Sequence, residues 1–184
     1  MGHNHWRRNE IKMKARLKIT LDCNRNCPYC INKVEPYKDK WMSIKNLNEV
    51  NWSHFSSVIV SGGEPLLVPE EDLIRILQHL RLITCAHISP IYLQTNGDFL
   101  TKSLVKQIDN DIDGIGISIH NLNQFKHLRT RFEDISQIKP IQLYVQDIMF
   151  NESIDFFTTL YKKFSIRVWT EGQYDKNEII YILK

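Results

Sequence analysis

A chain of 184 residues, of which 42% are hydrophobic, has the size and composition of one globular domain. The net charge of +3 is too small to indicate a polyanionic partner by itself. No stretch approaches the roughly 20 apolar residues that span a bilayer, and the first ten residues lack the apolar centre of a secretory signal. We therefore expect a cytoplasmic protein that binds neither a membrane nor nucleic acid.

Basic residues crowd the start of the chain. They are Arg7, Arg8, Lys12, Lys14, Arg16 and Lys18, with only Glu10 opposing them. Alternate basic residues that lead into a strand are typical of a solvated surface, and we interpret them in that way.

Short strand-like segments then alternate with helical ones. The segments that predict strands are 16–22, 56–61, 90–96, 113–120, 140–146 and 165–171. The segments that predict helices are 43–50, 69–82, 101–108, 121–138 and 151–164. Such regular strand–helix order indicates parallel strands joined by right-handed crossovers. We expect a core domain at 16–172, an N-terminal extension at 1–15, and a C-terminal tail or edge strand at 173–184.

Polar and apolar residues alternate in these strands, although parallel strands covered by helices normally read as continuous apolar runs. In the fourth strand, Ile117 and Ile119 share one face, whereas Ser118 and His120 share the other. A curved sheet explains this pattern, because its apolar face meets the helices and its polar face lines a cavity. We predict an α/β fold, a partial (β/α)6 barrel open on one side, around a polar binding chamber. A flat sheet with one solvated face is the alternative.

Three of the four cysteines lie in CNRNCPYC, directly after the first strand. Such clustering indicates metal ligands in a reducing compartment. Cys23, Cys27 and Cys30 have the number and spacing to hold three irons of a 4Fe–4S cluster and to leave the fourth iron open, which is typical of catalytic sites. The alternative is a zinc site completed by His54 or Cys85, although Cys85 by itself is interpreted as a small buried hydrophobe.

The second and third strands end in SGGEPLL and QTNG. Gly62 and Gly63 lack a Cβ, so a ligand can approach the backbone, and we expect their N–H groups to be free to bind it. Glu64 offers a carboxylate to a cationic group, and Asn96 and Gly97 suit a turn that presents polar groups. Because the carboxyl ends of parallel strands meet at one edge, these motifs and the cysteines should share one site.

Together, the three-cysteine spacing, the GGEP segment and the QTNG turn resemble the radical S-adenosylmethionine (radical SAM) enzymes, as a small single-domain member. The resemblance runs from about residue 16 to residue 171 and implies a 4Fe–4S cluster whose open iron is chelated by S-adenosylmethionine (SAM). It also implies contacts of Glu64 and the two glycines with the methionine amino group, of Tyr29 with adenine and of Ser118 with the ribose. The SAM-binding residues expected on this basis are Tyr29, Gly62, Gly63, Glu64, Asn96 and Ser118. An electron donor such as flavodoxin or ferredoxin is implied as a partner.

The remaining chamber residues are the guide to the substrate. Those expected in the chamber are Tyr92, His120, Gln142, Tyr144, Gln146, Arg167, Trp169 and Glu171. They favour a small polar substrate, such as a nucleoside, a nucleotide or a pterin-like molecule. His120 and Glu171 are candidates for a catalytic acid or base, with a merely hydrogen-bonded wall histidine as the alternative. An activase that generates a glycyl radical on a partner enzyme and a zinc-binding module without catalysis are the alternative functions.

Overall fold

Eight parallel strands form one sheet in the computed structural model, which describes residues 13–33, 41–84, 89–171 and 177–184. In chain order the strands are β1 (Lys14–Lys18), β2 (Trp41–Ile44), β3 (Val58–Ser61), β4 (Ile91–Thr95), β5 (Gly114–Ile119), β6 (Ile141–Gln146), β7 (Ser165–Trp169) and β8 (Glu178–Leu183). In the sheet they follow the order β2–β8–β1–β3–β4–β5–β6–β7. Strands β2 and β7 are the two edges and are not paired with each other within these residues, so the sheet does not close.

Five α-helices and four short 3₁₀ turns connect the described strands. The helices are α1 (Glu70–Ile83), α2 (Lys102–Gln107), α3 (Leu122–Ser136), α4 (Asp147–Glu152) and α5 (Ile154–Leu160). The 3₁₀ turns are Ile31–Lys33, Leu47–Glu49, Trp52–His54 and Pro65–Leu67.

Helix α1 shows why these segments are helical. Its first turn contains three acidic residues and its last turn contains Arg81, which matches the helix dipole at both ends. Leu73, Leu77 and Leu80 recur at helical spacing and are buried. In α3, the Asn121 side chain accepts a hydrogen bond from the Gln124 amide and so caps the first turn.

The hydrophobic core lies between the helices and one face of the sheet. Leu17, Val60, Leu93, Ile117 and Leu143 come from five successive strands, are fully buried and belong to one cluster with the apolar residues of α1 and α3. Residues between them on β1, β4 and β5 line a cavity on the other face. Since distant strands of one sheet line one cavity, the sheet curves around it. The prediction of a partial parallel barrel is therefore confirmed, with eight strands rather than six.

The two additional strands correct the sequence prediction at both ends of the core. The helix predicted at 43–50 is wrong: Trp41–Ile44 is strand β2, and the turn Leu47–Glu49 follows it. Asn46 and Glu49 form a reciprocal capping box there, so the helical signal comes from a single turn. Near the C-terminus, β8 pairs with both β1 and β2, so it is an inner strand rather than a tail or an edge.

Two element boundaries also differ from the prediction. Strand β1 covers Lys14–Lys18 instead of 16–22, because the chain after Lys18 leaves the sheet. The helix predicted at 151–164 is two helices, which Ser153 separates with φ −136° and ψ 32°. Within the described ranges, none of the helices is both long and apolar enough to cross a membrane.

Candidate functional site

The three clustered cysteines lie on a loop at the carboxyl end of β1. We define residues 19–33 as the cysteine loop. Cys23 is exposed, Cys27 and Cys30 are half-buried, and all three thiols are free and line the chamber. Burial and the neighbouring charge of Cys30 raise the pKa of Cys27, with a further contribution from Cys23. The three sulfur groups are thus within electrostatic reach of one another, as the ligands of a shared cluster must be.

A zinc ion and a 4Fe–4S cluster place different demands on the three thiols. In the part of the chain that the structure describes, no three Cys, His, Asp or Glu side chains converge on one ion. A zinc ion draws its ligands together around one point, whereas a 4Fe–4S cluster binds each thiolate at a different iron. His54 cannot complete a site here, because it precedes β3 at the opposite edge of the sheet, is exposed and contacts Asn51. Cys85 lies outside the described residues.

The chamber beneath the cysteine loop has a volume of about 530 Å³. Strands β1, β3, β4, β5, β6, β7 and β8 all contribute to its wall. Of the residues predicted to line it, His120, Tyr144, Arg167 and Trp169 do so. The predicted residues that do not line it are Tyr92, Gln142, Gln146 and Glu171. Glu171 is exposed just after β7 and does not line the chamber, although its charge helps to raise the pKa of Tyr29, after the larger effect of burial.

Gly62 and Gly63 have a different structural role from the one predicted. Both glycines line the chamber, as predicted. However, the Gly63 amide donates to the Thr20 carbonyl at 2.8 Å, and the Glu64 amide donates to the Asp22 carbonyl at 2.7 Å. The expectation that the N–H group is free for a ligand is therefore wrong for Gly63. A Cβ on Gly63 would lie 2.1 Å from the Asp22 carbonyl oxygen. The glycines allow the cysteine loop to pack directly on the end of β3.

The Glu64 carboxylate is buried in the chamber wall, with only 1% of the residue exposed. One oxygen accepts from the Thr95 hydroxyl at 2.5 Å and from the Leu66 amide at 3.2 Å, and the other accepts from the Asn96 amide at 2.8 Å. Burial raises the pKa of Glu64 above its usual value, and these hydrogen bonds oppose the shift. All of these partners are neutral, so a cationic group in the chamber would meet an unbalanced negative charge.

His120, Tyr29 and Trp169 form an aromatic group at the mouth of the chamber. The Tyr29 hydroxyl lies 3.0 Å from Nδ1 of His120, whose ring stacks on the Tyr29 ring at 5.8 Å between centroids. The Trp169 ring lies 5.4 Å from the Tyr29 ring between centroids, at an angle of 60° to it. Burial lowers the pKa of His120 to about 4, and the charge of Arg25 adds to this effect. The imidazole is therefore neutral at pH 7 and can accept a proton there only weakly.

Asn96 and Ser118 both line the chamber, as predicted, but their side chains already have partners. Asn96 donates to the Asn24 side chain at 2.8 Å and accepts from the Asp98 amide at 2.9 Å. The Ser118 hydroxyl accepts from the Gln94 amide nitrogen at 3.3 Å. Asn96 thus ties the QTNG turn to the cysteine loop.

Sequence reasoning missed the ion pair that fastens the cysteine loop. Arg25 binds Asp98 through two hydrogen bonds of 3.0 and 2.6 Å and also donates to Gln124 at 2.8 Å. Burial raises the pKa of Asp98, but hydrogen bonds and the charge of Arg25 outweigh it and hold the pKa below its usual value. An arginine inside a cysteine motif and an aspartate after a strand end were the only signals in the sequence.

The interpretation of the basic residues of β1 also needs correction. Lys14, Arg16 and Lys18 were interpreted as solvated, but all three line the chamber. They alternate with Ala15 and Leu17, which are fully buried in the core. The period of two along the strand already indicated that the three share the polar face.

The fold and the site together define a partial barrel with a cysteine loop over a polar chamber. The sequence model of the radical SAM superfamily matches residues 17–162, and the chain belongs to that superfamily. This confirms the resemblance predicted from the motifs, and with it an enzyme family whose cofactors are a 4Fe–4S cluster and SAM.

The comparisons with individual proteins agree with this assignment. A probable GTP 3',8-cyclase of Methanococcus aeolicus is 34% identical over 119 residues, which are 62% of this chain and 39% of that protein. A GTP 3',8-cyclase of Chlorobaculum tepidum is 26% identical over 132 residues, 67% of this chain and 38% of that protein. The chain thus spans about two fifths of the length of these relatives. The solved structure of native anSMEcpe with bound AdoMet has a TM-score of 0.57 at 18% identity, over 89% of this chain and 55% of that one, which shows the shared fold.

Proposed function

We propose that this chain is the core of a radical SAM enzyme that cleaves SAM reductively and abstracts a hydrogen from a small polar, nucleotide-like substrate. One observation carries the proposal: the cysteine loop, the GGE segment and a polar face of the sheet all border a single chamber of about 530 Å³. A structural metal site would not need such a chamber, whereas a reaction on a bound molecule does.

Cys23, Cys27 and Cys30 would hold the cluster. When bound, the cluster supplies the electron that splits SAM into methionine and a 5′-deoxyadenosyl radical. The protein contributes position and charge. Burial and the other thiols raise the pKa of Cys27, and the charges of Arg25 and Lys33 oppose this rise and so limit the cost of forming the thiolate that binds iron. The exposure of Cys23 leaves one side of the loop accessible to an electron donor such as flavodoxin or ferredoxin.

The residues around the loop fit the two ends of SAM. The buried Glu64 carboxylate, whose described partners are neutral, would accept from the methionine ammonium group. The Gly62 carbonyl, two residues earlier in the chain, accepts a long hydrogen bond of 3.5 Å from Asn32. At the mouth of the chamber, Tyr29 offers a flat face for adenine. The Ser118 hydroxyl, on the same wall, would contact the ribose.

The chamber and the relatives support a nucleotide-like substrate. Aromatic rings and hydrogen-bonding groups from β4 to β7 suit a flat polar base. The relatives from two organisms are named for a reaction on GTP. The neutral imidazole of His120 would bind as a hydrogen-bonding wall residue rather than act as an acid at pH 7.

Anaerobic reconstitution with iron and sulfide tests the proposal. About four irons and four sulfides per chain are expected, and dithionite with SAM should yield 5′-deoxyadenosine, more of it when nucleotides are added. Cys27→Ala should abolish this product while its circular dichroism spectrum stays unchanged. Cys85→Ala, which changes a cysteine outside the motif, is the matched control and should retain the product. One zinc per chain with no sulfide, or no product from the loaded wild type, would refute the proposal.

A further inference from the structure

Lys18 is the one residue of the basic β1 face that is almost completely buried, with 1% of the residue exposed. Its ammonium group donates to the Asn32 side-chain oxygen at 2.5 Å and lies 3.6 Å from the centre of the Trp41 ring. Both partners are neutral. A buried cation is normally paired with an anion, because neutral contacts do not replace the hydration that it loses.

The nearby carboxylate does not neutralise Lys18. Glu178 binds Arg16 through both of its oxygens, at 2.8 and 3.0 Å. Arg16 also donates to the Gln94 oxygen at 2.9 Å, so the guanidinium and the carboxylate satisfy each other. Burial, together with the charge of Arg16, lowers the pKa of Lys18 to about 7, and the smaller effects of Cys30 and Glu178 oppose this shift without cancelling it. An anion bound beside Lys18 would stabilise the charged amine and raise its pKa.

Ser61 adds an unused donor beside this amine. It is the residue of β3 that pairs with Lys18 in the sheet register, so the two side chains leave the same face. Ser61 is 5% exposed and lines the chamber, and its hydroxyl has no hydrogen-bond partner among the described residues. Buried hydroxyls without a partner are rare in folded proteins, which points to a ligand atom at this position.

We propose that Lys18 and Ser61 form an oxyanion subsite in the chamber wall, which binds a carboxylate or a phosphate group. The proposal rests on the proposed function, because the ligand enters with either the substrate or SAM. A phosphate of a nucleotide and the methionine carboxylate of SAM share this chemistry. In either case the amine donates a charge-assisted hydrogen bond and the hydroxyl a second one. Arg16 stays paired with Glu178 and attracts the anion through its charge without a hydrogen bond to it.

Two pairs of ligands test the subsite and distinguish its sources. The first pair is SAM and decarboxylated SAM, and the second is guanosine triphosphate and guanosine. Dissociation constants are measured by calorimetry on the anaerobically reconstituted protein and on Lys18→Met. The variant should bind the anionic member of one pair about 10- to 100-fold more weakly and the other member of that pair unchanged. Loss confined to SAM identifies the carboxylate, and loss confined to the nucleotide identifies the phosphate.

The comparison within each pair separates charge from distortion of the wall. If Lys18→Met merely deformed the chamber, the binding of both members of a pair would weaken equally, and this result would overturn the proposal. Unchanged binding of all four ligands would also overturn it. Ser61→Ala keeps the lysine and should weaken the same ligand about threefold to tenfold. Lys102→Met, an exposed residue of α2, is the control and should bind as the wild type does.

The outcome is independent of the radical chemistry. Selective loss of anion binding in a protein that forms no 5′-deoxyadenosine would leave the subsite standing and refute the proposed function. If Lys18→Met forms 5′-deoxyadenosine normally and its ligand affinities are unchanged, the proposed function stands and the subsite is refuted.

Discussion

Gly63→Ala should destabilise the cysteine loop through a steric clash, without any backbone strain at residue 63. Gly63 does not have a left-handed backbone conformation, so an alanine there is not strained by its own dihedral angles. However, the new Cβ would lie 2.1 Å from the Asp22 oxygen and 2.5 Å from the Leu21 oxygen, and both are backbone atoms. A normal contact needs more than 3 Å, so the loop must move by about 1 Å.

The magnitude follows from what that movement breaks. Overpacking at a rigid contact costs about 1–3 kcal/mol. The two hydrogen bonds from the Gly63 and Glu64 amides to the loop carry about 1 kcal/mol each, and part of this is lost as well. We therefore expect the free energy of unfolding to fall by about 2–4 kcal/mol. Because Cys23 directly follows Asp22, the loaded protein should also retain less iron.

Urea denaturation of the cluster-free chain measures the first effect, and iron per chain after gel filtration measures the second. Gly114→Ala is the matched control. Its Cβ would come no closer than 3.1 Å to the nearest atom, on the ring of Tyr92, which is 39% exposed and able to move aside. The control should lose less than about 1 kcal/mol. If Gly63→Ala were as stable and as rich in iron as Gly114→Ala, the packing argument would fail.

Two further predictions concern buried charges. Burial lowers the pKa of Lys18 from 10.5 to about 7, so between these pH values the unfolded chain holds a proton that the folded chain lacks. The free energy of unfolding of the wild type should therefore rise from pH 7 to pH 9.5 by at most about 1.4 kcal/mol per pH unit. Urea titrations should show that Lys18→Met removes this slope. A slope that persists in the variant would assign it to another group. Asp98→Asn removes the charge that faces Arg25 and should speed iron loss to a chelator several-fold. Asp109→Asn, which breaks a more exposed pair with Lys139, should lose iron at the wild-type rate.

The polar face of the strands was predictable because side chains alternate with a period of two. Ser118 and His120 could be assigned to the chamber from that period alone, and Gly62 and Asn96 from their positions at the carboxyl ends of two strands. Glu171 was assigned by extending the same period past the end of β7. It lies beyond the last strand residue, Trp169, where the alternation no longer holds.

Strand β2 could not be predicted from its local sequence, and for β8 the sequence left a tail or an edge strand open but gave no sign of its inner place in the sheet. Strand β2 has only four residues, and two of them are exposed. Strand β8 forms through parallel pairing with β1, which lies some 160 residues earlier in the chain, and local propensity says little about such a partner. For Lys18, the period gave the correct face, but only the sheet curvature decides whether that face meets solvent or a chamber.

The cysteine loop explains why motifs on successive strand ends were informative together and weak alone. The loop has almost no regular structure, so its shape depends on what holds it. The end of β3 holds it through the amides of Gly63 and Glu64, and the turn after β4 holds it through Asp98, which binds Arg25. His120, after β5, contacts the loop at Tyr29. Three strand ends thus set the positions of the thiols, and a change in any of them should lower iron retention.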